Sequence, residues 1–146
     1  VASAARSDGE ALLRLLPRWA QERRDIRALA LVGSWVQRAP EADSDLDLIL
    51  LTDRPALYTD DQNWVEELGG VRLVKTQLWG VIAERRFVMP SGLEVEVGVG
   101  RPSWASIGPL DEGTRRVATD GLRPLYDPLG LLVELLKACR LHGEHR

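Results

Sequence analysis

Two aspartates at the mouth of an apolar run constrain this chain more than any other feature. Residues Leu31–Leu51 read Leu-Val-Gly-Ser-Trp-Val-Gln-Arg-Ala-Pro-Glu-Ala-Asp-Ser-Asp-Leu-Asp-Leu-Ile-Leu-Leu. One apolar stretch ends in Gly33-Ser34, a polar segment follows, and Ser44-Asp45-Leu46-Asp47 opens a second. Both stretches have the length and aliphatic content of buried strands. On a strand, residues two apart leave the same face, so Asp45 and Asp47 project together with Cα atoms roughly 6.5–7 Å apart. Two carboxylates so placed can converge on metal ions about 3.5–4 Å apart, the arrangement a two-metal phosphoryl-transfer site requires. Mg²⁺ needs only a few carboxylates, because substrate phosphates and water complete its shell.

Gly33-Ser34 supplies a complementary half. Glycine at a strand end lets backbone approach a ligand closely, and free N–H groups at a following helix start favour phosphate. One short segment can therefore hold a triphosphate tail while the next holds metal.

Gly-Ser, nine residues, then Ser-Asp-Leu-Asp-Leu resembles the signature of the DNA polymerase beta-like nucleotidyltransferase superfamily, in particular its small bacterial members, the minimal and aminoglycoside nucleotidyltransferases. Arg38 departs from the pattern, since many small members carry glycine there. The resemblance implies an α/β (α+β) nucleotidyltransferase fold, a small mixed β-sheet backed by helices, with the Gly-Ser turn and three acids at one end of the sheet. It also implies two Mg²⁺ ions and a nucleoside triphosphate donor, ATP by family frequency. The reaction would move a nucleoside monophosphate to an acceptor hydroxyl and release pyrophosphate. Gly33, Ser34 and Ser44 would bind nucleotide, and Asp45 and Asp47 would bind metal.

The third acid is expected in a hydrophobic–acid–hydrophobic triplet. Leu93-Glu94-Val95 and Val95-Glu96-Val97 both qualify, and alternation points both glutamates the same way. The continuation Val97-Gly98-Val99 resembles the family's strand after its third acid, which favours Glu96 as third ligand and base, with Glu94 lining the cleft. Lys75, Arg85, Arg86 and Arg101 are candidate positive charges; Arg85 and Arg86 face opposite ways on a strand, so at most one reaches the cleft. Arg23 and Arg24 are weaker candidates for phosphate.

The acceptor is a small molecule or a protein, and Glu94, Asp111 and Glu112 would suit a cationic one. With little beyond a catalytic core and one terminal helix, the acceptor site would lie in a homodimer interface or on a helical partner protein. The competing reading is a non-catalytic, antitoxin-like nucleotide-binding or interaction module on the same fold.

A chain of 146 residues is expected to form one domain, 1–146. A net charge of −3 argues against a duplex nucleic-acid surface, because phosphate backbones recruit basic ones. No apolar run reaches the roughly 20 residues of a membrane span, and no continuous hydrophobic leader opens the chain. The single Cys139 fits a reducing compartment, and its place on an apolar helical stripe marks it as core. A cytoplasmic, soluble protein is expected.

Ser7-Asp8-Gly9-Glu10 has capping-box spacing ahead of a helical stripe of Leu12, Leu13, Leu15, Leu16 and Trp19, in which Pro17 should kink or split the helix. Strands are expected at Ile26–Val32 and Leu46–Thr52, with a short helix from Ser34. Arg54–Leu68 reads as helix, capped or interrupted at Asp60-Asp61. Val71–Leu78, Val81–Met89 and Leu93–Val99 read as strands, the last two joined by a Pro90-Ser91-Gly92 turn. Trp104 should anchor the loop Pro102–Pro109, Asp111–Thr119 should be helical, and Leu122–Tyr126 an edge segment. Asp127 should cap a final helix starting at Pro128 and ending at Gly143, with Leu129, Leu132, Val133, Leu136 and Cys139 inward. His142 and His145 read as solvated tail.

Overall fold

The structure is a computed structural model that describes residues 2–36, 44–79 and 81–144. Its centre is a six-stranded mixed sheet in the order β3-β4-β5-β2-β1-β6. The strands are β1 (Ile26–Val32), β2 (Leu46–Thr52), β3 (Arg72–Trp79), β4 (Ile82–Val88), β5 (Glu94–Gly100) and β6 (Leu122–Tyr126). β2 pairs antiparallel with β1 and parallel with β5, while β4 and β5 form the expected antiparallel hairpin. Aliphatic alternation decides which face each side chain takes. Leu46, Leu48 and Leu50 join Val95, Val97 and Val99 in one core, and Ile49 and Leu51 join Ala28, Ala30 and Val32 in the other.

Helices cover both faces. Leu12, Leu16, Trp19 and Ala20 of α1 (Ala2–Gln21) are buried in the first core, together with Tyr58 of α2 (Ala56–Thr59) and Trp64 and Val65 of α3 (Asn63–Glu67). Ala118 of α4 (Glu112–Asp120) and Leu132, Leu135 and Cys139 of α5 (Leu131–Glu144) cover the second. No helix among the described residues is long and apolar enough to cross a membrane.

Four expectations are corrected. The Ser7–Glu10 box lies inside α1, which already begins at Ala2. Its residues serve tertiary contacts instead: the Asp8 carboxylate accepts a 2.9 Å hydrogen bond from the Ser91 N–H in the β4–β5 turn. Gly9 lies so close to Trp35 that a Cβ there would stand 2.3 Å from the indole. Pro17 does not split α1, because buried Leu12, Leu16, Trp19 and Ala20 hold the helix to the sheet on both sides of it.

Residues 54–68 are interrupted at Asp60-Asp61, as expected, and form two short helices. Side chains take up polar groups at the break: the Trp64 indole donates to the Tyr58 and Asp61 carbonyls, the Asp61 carboxylate accepts from the Asn63 N–H, and Arg85 donates to the Thr59 carbonyl. The final helix starts at Leu131 instead of Pro128, because Gly130 turns the chain at φ +73°. Asp127 still caps it from a distance, its carboxylate accepting from the Leu132 and Val133 N–H groups at 3.0–3.2 Å. That offset rotates the buried stripe onto Leu132, Leu135 and Cys139 and leaves Leu129 and Val133 exposed; Gly143 lies within the helix, not beyond it. Trp104 is only half-buried, packed against the second core.

Candidate active site

The second core covers only part of its face of the sheet. Along β2 that face carries Asp47, Ile49 and Leu51, and packing from α4 and α5 buries the last two. The neighbouring β5 carries Glu94, Glu96 and Gly98 on the same side, with Asp47 directly opposite Glu96 across the parallel pair. Strands in that relation run roughly 4.8 Å apart, so the two carboxyl groups begin as near neighbours. Asp45, one residue before β2, extends the acidic row.

Gly33 closes the site from the other side. It begins a 3-10 turn, Gly33–Val36, straight after β1, whose last residue Val32 pairs with Asp47. Its φ is +75°, and a Cβ there would stand 2.6 Å from Asp47 Oδ2. Glycine is thus required twice at this position, for backbone conformation and for room. Trp35 is buried beneath the turn, and its indole donates a 3.2 Å hydrogen bond to the Ser44 carbonyl. One side chain therefore ties the Gly33-Ser34 turn to the segment that carries Asp45. Ser34 and Ser44 are both partly exposed.

The acids are not alone. Arg86 on β4 pairs with Glu96 across the antiparallel ladder, and its guanidinium reaches three carboxylates. It lies 2.9 Å from Asp45 Oδ2 and 3.3 Å from Glu94 Oε1, and it forms an ion pair with Glu96. Burial opposes the Arg86 charge, and Asp45 and Glu94 outweigh that opposition, so its pKa is raised. Asp47 stands outside this clamp. Burial, then the Asp45 charge, push its carboxyl up to about 6; Arg86 draws it down, and Glu84 adds to the rise. Its Oδ1 is buried without a hydrogen-bond partner.

Those observations bear on whether a divalent cation fits. The donors are hard carboxylate oxygens, the type Mg²⁺ prefers, and the unpartnered Asp47 oxygen is an acceptor of the right kind. Among the described residues no three acids already converge as a ready-made cage; Arg86 lies among them instead. The donor chemistry suits a divalent cation, with Arg86 paired to the same carboxylates in this structure.

The other candidate charges divide clearly. Arg85 is buried on the opposite face and donates to the Thr59 carbonyl. Arg101 donates to the Asp53 carbonyl. Arg23 donates to the Tyr58 hydroxyl, pairs with Glu67 at 2.9 Å and stacks on Trp19 and Tyr58, which makes it a structural residue. Asp111 caps α4 by accepting from the Thr114 N–H, and Glu112 pairs with Arg115. Arg38 and His145 lie outside the described residues, and so do the side chains of Lys75 and His142. Sequence reasoning passed over Glu84 and left Arg86 unassigned. The signal was available, because Arg86 and Glu96 stand at equal distances either side of Ser91 in the hairpin turn.

A glycine turn, two aspartates at the start of β2 and a facing glutamate thus gather at one end of the central strands. The streptomycin adenylyltransferase family model matches residues 6–85. The chain belongs to this family. The matched segment contains Gly33, Ser34, Asp45, Asp47 and Glu84, and it stops just short of Arg86, Glu94 and Glu96. Membership makes the chain a nucleotidyltransferase in the general sense of the family. No curated protein sequence matches the chain significantly.

Proposed function

We propose that this protein transfers AMP from ATP to a hydroxyl of an acceptor, with Mg²⁺ held by Asp45, Asp47 and Glu96. The observation that carries the reading is the junction of Gly33, Asp47 and Glu96. The Gly33 turn lies against Asp47, and Asp47 stands opposite Glu96. Gly33 and Ser34 would cradle the β- and γ-phosphates, with Ser44 beside them. Bound Mg²⁺ would supply charge stabilisation at the attacking and leaving oxygens.

The chain's own residues do the rest. Glu96 accepts the proton of the acceptor hydroxyl as its oxygen bonds to the α-phosphorus and the bond to pyrophosphate breaks. Glu94, more exposed at 40% against 24% for Glu96, lines the rim where an acceptor would enter. An acidic rim favours a cationic acceptor, and streptomycin, which gives the family its description, is the first one to assay. The test is incubation with ATP labelled at the α-phosphate, Mg²⁺ and a panel of hydroxyl acceptors including streptomycin. Label should move to an acceptor with one pyrophosphate released per transfer, and Asp47→Asn should abolish it. Label that stays in ATP across small-molecule and protein acceptors alike would contradict the proposal.

A further inference from the structure

Two orphaned polar atoms of opposite character face the same cluster. Asp47 Oδ1 is a buried acceptor without a donor, and Arg86 Nε is a buried donor without an acceptor. The Arg86 fork spends its two outer nitrogens on Asp45, Glu94 and Glu96 and leaves Asp47 unserved. Two of those three acids are the ones that the proposed function assigns to metal beside Asp47. A guanidinium and a divalent cation placed among Asp45 and Glu96 compete for the same carboxylate charge and the same space.

From this geometry we infer that Arg86 is a built-in, displaceable counter-ion of the metal site. In the metal-free protein it neutralises the carboxylates and holds Asp45 near Glu96. A divalent cation binds by taking Asp45 and Glu96 from it and engaging the vacant Asp47 oxygen, and the arginine is released. Arg86 is thus a positioning residue that sets metal affinity by competition. The inference rests on the metal reading of these acids.

The packing explains why such a residue sits here. Asp45, Asp47, Glu94 and Glu96 share one sheet face, and Glu84 on the next strand adds its charge to Asp47. Like charges this close repel, and a positive charge among them offsets that repulsion. A planar guanidinium can bridge several carboxylates at once, which an ammonium does less well. It carries one charge against the two of the metal, so it can be displaced.

The test is direct metal binding to the full chain, followed by Mn²⁺ titration with detection of free Mn²⁺ by electron paramagnetic resonance. Arg86→Gln should bind Mn²⁺ about tenfold tighter or more, equivalent to about 1.4 kcal/mol. The same variant should melt lower than wild type without metal and show the larger stabilisation by Mn²⁺. Arg86→Lys covers the case in which glutamine prevents folding: its single-point contact should also tighten Mn²⁺, by a smaller factor. Displacement itself is read from the Arg86 side-chain ¹⁵N resonance, identified by its loss in the variant, which should sharpen and shift on saturation with Mg²⁺. Equal Mn²⁺ affinity in wild type and variants, or a guanidinium signal unmoved by Mg²⁺, overturns the inference and leaves the metal reading intact. No Mn²⁺ binding to any of the proteins removes both.

Discussion

Gly33 and Asp47 fit so closely that a methyl group on the glycine would stand 2.6 Å from the aspartate's Oδ2. The contact joins the turn proposed to bind phosphate to the aspartate proposed to bind metal, so one substitution should damage both. Gly33→Ala must also hold φ at +75°, where alanine is disfavoured by about 1 kcal/mol or more. It should lower unfolding stability by about 1–3 kcal/mol and eliminate nucleotide-dependent stabilisation. Chemical denaturation with and without Mg²⁺-ATP checks both parts.

Gly9 makes a second prediction from packing alone. In a helix interior alanine is ordinarily better than glycine by about 1 kcal/mol. Here a Cβ would meet the Trp35 ring at 2.3–2.9 Å, and that ring supports the Gly33-Ser34 turn. Gly9→Ala should therefore destabilise the protein, reversing the sign helix propensity alone would give. A stabilised variant would show that Trp35 moves aside at no cost. Denaturation midpoints decide the sign, and weakened ATP binding would show that the turn has shifted with the ring.

Asp47 links stability to pH. Its carboxyl is raised from the ordinary carboxylate range to about 6, by burial and by Asp45. A raised carboxyl favours folding below its unfolded value and loses that contribution as pH climbs through the folded one. Above pH 6 the metal-free protein thus carries the full penalty of an ionised Asp47. Asp47→Asn should raise the metal-free unfolding free energy at pH 7.5 by about 1–2 kcal/mol once solvent screening is allowed for, and the gain should fade as pH drops from 6 towards 4. Metal binding should weaken over the same interval in the wild type, because the cation needs the ionised form.

Glu96 and Glu94 should separate by kinetics. Glu96 stands opposite Asp47, whereas Glu94 begins β5 nearer solvent. Glu96→Gln should cost about 10²–10⁴-fold in transfer, the usual worth of a positioned base. Glu94→Gln should act mainly on KM for the acceptor. The opposite pattern would assign the third acid to Glu94.

Much of this architecture was legible from residue order. Ile26–Val32 and Leu46–Thr52 were expected as strands on aliphatic content and are β1 and β2 with those bounds. Strict alternation placed Leu93, Val95, Val97 and Val99 inward, where the first core has them. What escaped depends on contacts between distant segments. Gly9 and Asp8 look like helix-capping residues until Trp35 and Ser91 arrive from elsewhere in the chain. The start of α5 moved because Asp127 caps across a Gly130 turn, which shifted its buried stripe to Leu135. Arg86 reads as one of four candidate positive charges near the cleft, and the register between β4 and β5 sets it among three acids.

The most direct test of the central claim is thermal unfolding with ATP, with and without Mg²⁺, on wild type and Asp47→Asn. A ligand at about 100 times its Kd adds about 2.7 kcal/mol, several degrees in a domain of this size. The account predicts a shift in wild type that needs ATP and Mg²⁺ together and is absent in the variant. No shift with ATP or any other nucleoside triphosphate, or a shift that survives in Asp47→Asn, would contradict it.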